Sequence, residues 1–507
     1  MAGALLLLSG ATFVLSVCTH GAHGMGDGIR YVANGISILE DGREMPELLS
    51  YARFDQGIEP GQASRTYPSK FYSLLIYPLF STGGHVRLSS LLILNFVALV
   101  IANVCVYRLS RAILAPVTTI ACLIAINLHP TLFGCMSAIP NDFAVGCLSA
   151  VIVMLLTLSN RFSSRLTALM LIGFACTMRS QYLFIAALLP LIRKGPVRAW
   201  PLMRDVAIFF GSAYLLYLLV DHAICSYFNL PRGHFYQAEI TWRLRNLSFS
   251  GQGFLRKVDA LSWISYLMCW GVLFVKRRPP LIFNMALFVV VGVTSNYLLS
   301  SALFEPGWRY FIYYTIPCMI VFSYCVQVMV RCMAARVLPA RSDDACMAER
   351  VSGPVAAILI VALTPFYPTF PRNPMDVLHL ARFDNNLRRE DLPCTPFLSG
   401  IARTNVIAAS HEAAYYLYVY TRNRNLVEIG DAEAWLGGCS NERIDYLALM
   451  PRSGYWMTRE AGQGPWRDWV ETNAIQDRRG ILFEKGFSKV EKVKFDIYVY
   501  KRAQPWP

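Results

Sequence analysis

"HGMGDGIRYVANGISILEDG", His23 to Gly42, follows directly on an apolar run that opens the chain. Its reading decides the fold, because an acid set between two glycines where a chain leaves a bilayer belongs either to a loop or to a site. The preceding run, about 2–19, is long enough to cross a membrane. A secretory leader would carry a basic start and a small-x-small cleavage site; neither is present, so the run reads as a retained first span. Gly26 and Gly28 let the backbone around Asp27 approach another group closely. Beyond them Ile29, Val32, Ile36 and Leu39 recur at helical spacing, which predicts an amphipathic helix lying on the membrane surface. At the start of such a helix Asp27 can be an N-cap or a general base, and spacing leaves both readings open.

Outward from this stretch the composition is that of a polytopic α-helical membrane protein. Of 507 residues 55% are hydrophobic and 16% charged, too apolar for a soluble chain of this size. Apolar runs occur at about 2–19, 88–107, 113–130, 143–159, 164–178, 181–193, 205–225, 260–275, 281–303, 310–330 and 353–370, or about 11 spans. The net charge of +14 does not point to nucleic acid, because much of the excess sits in short loops between these runs. Arg108 and Arg111, Arg161 and Arg165, Arg193 to Arg204, Lys276 to Arg278, and Arg331 to Arg350 occupy every second loop. By the positive-inside rule these loops and the N-terminus are cytoplasmic. The loops 20–87 and 226–259 and the tail then lie outside an inner or plasma membrane. Most of the 14 cysteines fall inside apolar runs, and none has zinc-site spacing.

The expected organisation is a transmembrane domain over 1–371 and a small extracytoplasmic α/β domain over 372–507. The tail has β-like segments at Asn405–Ala409, Tyr415–Tyr420, Asp445–Met450 and Asp496–Lys501. Its "HEAAYYLYVYTRNRNLVEI" also reads as a short helix leading to a strand, and "KVEKVKFDIYVYKR" as a terminal hairpin strand. Cys394 and Cys439 are its two cysteines and could pair in an oxidising compartment.

Charges inside spans are costly and mark function by default, and here the span centres are almost free of them. Ionisable residues gather instead at outward span ends: Asp27, His129, Asp142, Arg179, Asp221, His222, Glu305 and Arg309. Given the topology they share one depth, which suggests a cavity opening at the outer leaflet; wet helix ends are the plainer alternative. In "RTYPSKFYSLLIYPLF" Arg65 and Lys70 bracket an aromatic entry containing Tyr67, and cations at that depth suit a phosphate headgroup or simply snorkel. "MRSQYLFIAALLPLI" places Arg179 and Gln181 at an external turn, and "EPGWRYFIYYTIP" sets Arg309 and Tyr310 in an interfacial aromatic belt.

Taken in order, "GDGIRYVANGISILEDG", "YPSKFYSLLIYPLF", "IPNDFAVGCLSAVIVML", "MRSQYLFIAALLPL" and "WRYFIYYTIP" resemble the GT-C superfamily of polyprenyl-phosphate-sugar-dependent glycosyltransferases. The branch is that of the protein O-mannosyltransferases and lipid A aminoarabinose transferases. The chain departs from it at Gly28, where part of the family has a second acid, and at Ser69 and Ser180, where prolines are usual. The resemblance implies a sugar donor on a polyprenyl phosphate and an acceptor hydroxyl on a glycan, lipid or protein. It makes Asp27 the base and assigns Arg65, Tyr67, Lys70, Asp142, Arg179, Gln181, Arg309 and Tyr310 to substrate binding. Family members use a divalent cation in places, although no ligand cluster in this sequence demands one. Three rival classes are weighed, one of them a non-catalytic receptor or assembly scaffold, which would make the tail the working part and Asp27 a helix cap. A flippase or transporter of lipid-linked solutes would bring inverted repeats and broken midplane helices, and neither is seen. A lipid-linked glycan polymerase or ligase would use a basic mid-chain loop such as "NLPRGHFYQAEITWRLRNL", Asn229 to Leu247.

Overall fold

The computed structural model describes residues 2–20, 26–45, 48–60, 70–82, 85–86, 90–136, 142–158, 162–178, 182–192, 198–230, 260–276, 278–300, 312–337, 344–364, 400–429, 441–449, 487–493 and 497–502. They fall into two compact units. The first takes in Met1–Ala22, Leu92–His222 and His234–Phe383; the second takes in His23–Leu91, Ala223–Gly233 and Asp384–Pro507.

The first unit is helical throughout its described residues. Its helices are α1 (Ala2–His20), α5 (Leu91–Arg111), α6 (Pro116–Leu128), α7 (Pro130–Met136), α8 (Asp142–Leu158), α9 (Phe162–Met178) and α10 (Tyr182–Leu188). They are followed by α11 (Ala199–Tyr227), α12 (Ala260–Phe274), α13 (Pro280–Ser300), α14 (Ile312–Val337) and α15 (Asp344–Leu363). A helix stands on each of the apolar runs read from the sequence. Leu91–Arg111, Ala199–Tyr227 and Ile312–Arg336 are long and apolar enough to cross a bilayer, and the other apolar helices are shorter. Local chemistry sets several ends. Pro116 opens α6 after an extended Ala115, since a first-turn residue needs no intrahelical N–H bond. Arg108 and Arg111 close α5, where cations meet the negative end of the helix dipole. Pro190 ends α10 in a single 3₁₀ turn at Leu189–Leu191, so the apolar run there gives only a short helix.

Apolar side chains remain on the outside of these helices. Trp200, Met203, Leu215 and Leu219 of α11 are all more than half exposed, a surface that a bilayer covers. Inside, polar groups pair. Asn103 and Asn127 exchange amide hydrogen bonds of 3.0 and 2.8 Å, and Asn103 also donates to Ser9 Oγ at 2.8 Å. These bonds tie α5, α6 and α1 together where lipid offers no competing partner.

The second unit contains α2 (Gly26–Asp41), β1 (Leu49–Ser50), α3 (Tyr51–Asp55), α4 (Lys70–Phe80) and a short hairpin of β2 (Ser81–Thr82) and β3 (His85–Val86). From the tail come β4 (Ile407–Ala409), α16 (His411–Thr421), β5 (Leu426–Glu428), β6 (Tyr446–Leu449), β7 (Phe487–Val493) and β8 (Ile497–Arg502). Six strands make one mixed sheet in the order β1-β5-β4-β6-β8-β7. The first four are parallel neighbours, and β8 runs antiparallel to both β6 and β7. The small α/β part expected of the tail is therefore present, with one addition: its edge strand β1 comes from the first loop. The β-like Tyr415–Tyr420 lies inside α16, so the helix-then-strand reading is the one that forms. Cys394 and Cys439 lie outside the described residues.

Helix α2 packs against α4 and against α16. Ile29, Val32 and Ile36 are fully buried, as are Ala33 and Ser37, while Leu39 is 40% exposed. The predicted apolar stripe is real, but protein covers more of the helix than one stripe requires.

Candidate active site

In the second unit the chain from Gly26 onward forms α2, with Asp27 as the second residue of the described helix. The helix ends at Gly42, whose φ of 68° lets the backbone turn back. The turn is then sewn onto α2. Arg43 N–H donates to Ser37 O at 3.3 Å, Ser37 Oγ to Arg43 O at 2.6 Å, and Met45 N–H to Asn34 Oδ1 at 2.9 Å. This fixes the backbone of Glu44.

Facing it is Lys70, the first residue of α4. Its ammonium lies 3.4 Å from Glu44 Oε1 and donates to Cys225 Sγ at 3.2 Å. The Lys70 and Glu44 side chains are only 3% and 5% exposed, so Lys70 does not snorkel to solvent. Cys225 arrives from the end of α11, and Ile224, Phe228 and Leu230 beside it pack with Ile38 and Leu74. The two helices meet closely because Gly35 stands at the crossing, where a Cβ would come 2.5 Å from Ser73 O. Tyr31 and Tyr72 meet edge to face there, 5.0 Å between ring centroids.

Tail residues clamp the same helix. Arg422 holds Glu40 through two bonds of 2.7 and 3.0 Å, and Arg424 reaches Asp41 at 3.3 Å. Arg424 also donates to Ser37 Oγ and to the carbonyls of Arg43 and Glu44. Tyr418 donates to Asp41 Oδ2 at 3.0 Å, and burial pushes its phenol up to about 12. The Arg30 guanidinium sits 5.2 Å over the Tyr415 ring.

The first unit gathers the helix starts that border the other candidates. Asp142 opens α8, and one turn on Gly146 lies so close to Ile312 that a Cβ would meet it at 2.9 Å. Tyr182, next after Gln181, is bonded to Ser149 of α8 at 2.7 Å and stands edge-on to Tyr313, 5.6 Å away. The starts of α8, α10 and α14 thus converge. Arg65, Tyr67, Arg179, Gln181, Arg309, Tyr310 and Glu305 lie outside the described residues, as do the side chains of Asp27 and Asp142. Among the outward ionisable residues, His129 is buried after α6. Its Nδ1 accepts from Thr131 N–H at 3.3 Å, which leaves Nε2 to donate to Ser262 Oγ, 3.1 Å away.

His129 and Ser262 line a small cavity of about 40 Å³ together with Trp263, Tyr266, Tyr314 and Thr315. Tyr314 is 2% exposed, and its hydroxyl has no hydrogen-bond partner among the described residues. Among the described residues no group of three His, Cys, Asp or Glu side chains could hold an ion, and no step below runs through one.

Glu44 and Cys225 escape a sequence reading, as does the tail clamp. For Glu44 the signal was Gly42, a helix-ending glycine that turns the next residues back onto the helix.

No protein-family model matches the sequence, and no curated protein matches it significantly. Solved structures do. ArnT from Cupriavidus metallidurans bound to undecaprenyl phosphate matches over 99% of both chains, with 12% identity and a TM-score of 0.52. The chain has a GT-C type fold. At that identity the likeness is one of fold. The apo form of the same ArnT matches with a TM-score of 0.46 and 11% identity, over 99% of both chains. The oligosaccharyltransferase of Archaeoglobus fulgidus gives 0.45 and 12%, over 88% of this chain and 68% of its own.

Proposed function

We propose that this GT-C chain is an inverting glycosyltransferase that moves a sugar from a polyprenyl-phosphate donor to an acceptor hydroxyl at the outer face of the membrane. Its products belong to cell-envelope glycan, glycolipid or glycoprotein, and its tail domain lies on the same outer side. The observation that carries this reading is Lys70, a cation buried at a helix start in a fold shared end to end with a protein that binds undecaprenyl phosphate.

In the reaction Asp27 takes the proton of the acceptor hydroxyl as its oxygen attacks the anomeric carbon from the face opposite the phosphate. The bond between that carbon and the phosphate oxygen breaks, and polyprenyl phosphate leaves. The sugar passes through an oxocarbenium-like state while negative charge grows on the phosphate. Lys70, Arg179 and Arg309 meet that charge, and one such contact in a water-poor site lowers the barrier by roughly 3–4 kcal/mol. Arg65 and Tyr67 hold the headgroup, Gln181 and Tyr310 bind substrate, and Asp142 orients the acceptor. The contacts from α8 and α10 to the first turn of α14 support the joint action of Asp142, Arg179 and Arg309.

Mass spectrometry of cell-envelope glycans tests the reading. Cells making the intact protein should carry a glycan with one sugar that is missing when the protein is removed. Identical spectra would contradict the assignment.

A further inference from the structure

The Lys70 ammonium is buried, and burial favours the neutral amine. A phosphate-binding lysine must nevertheless carry its proton before the phosphate arrives. We propose that Glu44 is a positioning residue that keeps Lys70 protonated and aimed while the donor site is empty. The inference rests on the reading of Lys70 as a phosphate ligand.

Three observations carry it. The carboxylate lies 3.4 Å from the ammonium, and both side chains are almost wholly removed from water. In such surroundings an opposite charge strongly favours the charged form. The Glu44 backbone is not left to chance: the turn after Gly42 is bonded back to Asn34 and Ser37, and Arg424 donates to the Glu44 carbonyl at 3.3 Å. The other described contact of the ammonium, the Cys225 thiol, brings no full charge.

Charged and titratable groups of the described residues lie on the helix that packs against α4. From α2, which packs on α4, Arg30 faces the Tyr415 ring, Tyr31 meets Tyr72, and Glu40 accepts from Tyr77 while pairing with Arg422. Glu44 and Cys225 both contact the ammonium itself.

When a polyprenyl phosphate binds, its anion takes over as counter-charge. Glu44 supplies a charge that holds the proton, so without it binding should bring more of a proton with it and affinity should fall as pH rises. With Lys70 replaced by Arg, which holds its charge at any working pH, that dependence should vanish.

The test is binding of undecaprenyl phosphate to the full-length protein in detergent, from pH 7 to 9, where the phosphate's own titration is nearly complete. Each variant is compared with the wild type at the same pH. Lys70→Ala should weaken binding about tenfold or more, the loss of a charge-assisted contact. Glu44→Gln should bind nearly as well as wild type at pH 7, then lose up to about tenfold per pH unit. Glu44→Gln combined with Lys70→Arg should show a flat ratio. Unchanged binding by Lys70→Ala would overturn the phosphate reading itself. Weak binding by Lys70→Ala with a pH-independent ratio for Glu44→Gln would leave that reading standing and overturn the role of Glu44. A slope that persists in the double variant would overturn it as well.

Discussion

At Tyr418 a single side chain can be followed from burial to a titration. Its hydroxyl donates a hydrogen bond to Asp41, and burial pushes the phenol up to about 12, above the value near 10 of a free tyrosine. A raised value means the folded state favours the neutral form. The resulting stability is fully present below pH 10 and is lost as pH rises through 12. Tyr418→Phe should therefore cost about 1.5–3 kcal/mol at neutral pH, the range of a hydrogen bond to a charged partner. The difference in melting temperature between variant and wild type should then shrink across pH 10–12. A constant difference would mean that the hydroxyl contributes nothing beyond packing. Legibility at this scale follows the nature of each signal. Asp27 and Lys70 stand out in the sequence because an acid between glycines and a lysine before an aromatic run are local patterns. Glu44 does not, because Gly42 signals only the turn, while the helix crossing that brings Lys70 to it is encoded by no local pattern.

For elements, the sequence is most readable where hydropathy alone decides. A helix lies on every apolar run, since a backbone in lipid must satisfy its hydrogen bonds within the segment. It is least readable in α16. Tyr415, Tyr416, Leu417, Tyr418 and Val419 are all buried, with α2 and the sheet packed on the helix, so no 3.6-residue stripe survives to distinguish helix from strand. The crossing of α2 and α4 was equally hidden, because it depends on one missing side chain. Gly35→Ala would press a methyl group against the Ser73 carbonyl, which is backbone and cannot turn aside. Overpacking of that kind should destabilise by about 1–3 kcal/mol. Gly211→Ala in α11, where a Cβ meets nothing within 4 Å, should be neutral or stabilising by up to about 1 kcal/mol. Thermal unfolding in detergent compares the two, and equal melting temperatures would show that the α2–α4 crossing tolerates a wider spacing.

Across the whole molecule, the first loop and the tail share one compact unit, joined by the β1–β5 pairing and the arginine clamp on α2. A two-residue strand pairing with one far along the chain leaves no periodic trace, so hydropathy gave the tail as a domain on its own. The clamp is graded. Arg422 and Glu40 are partly exposed, and such pairs contribute about 0.2–1 kcal/mol. Arg424 is better covered and also holds two carbonyls of the turn that carries Glu44. Arg424→Ala should accordingly speed proteolytic cleavage within 41–45 several-fold, and Arg422→Ala should barely change it. Equal cleavage rates would remove the tail's hold on that turn. The central claim is that this fold transfers a sugar with Asp27 as the base, and purified Asp27→Asn protein tests it most directly. The measurement pairs undecaprenyl phosphate binding with transfer of radiolabelled sugar from a polyprenyl-phosphate donor to envelope extract. Binding should match the wild type while transfer falls roughly 10²–10⁴-fold, the share of a positioned general base. Wild-type transfer by the folded Asp27→Asn protein would contradict the account.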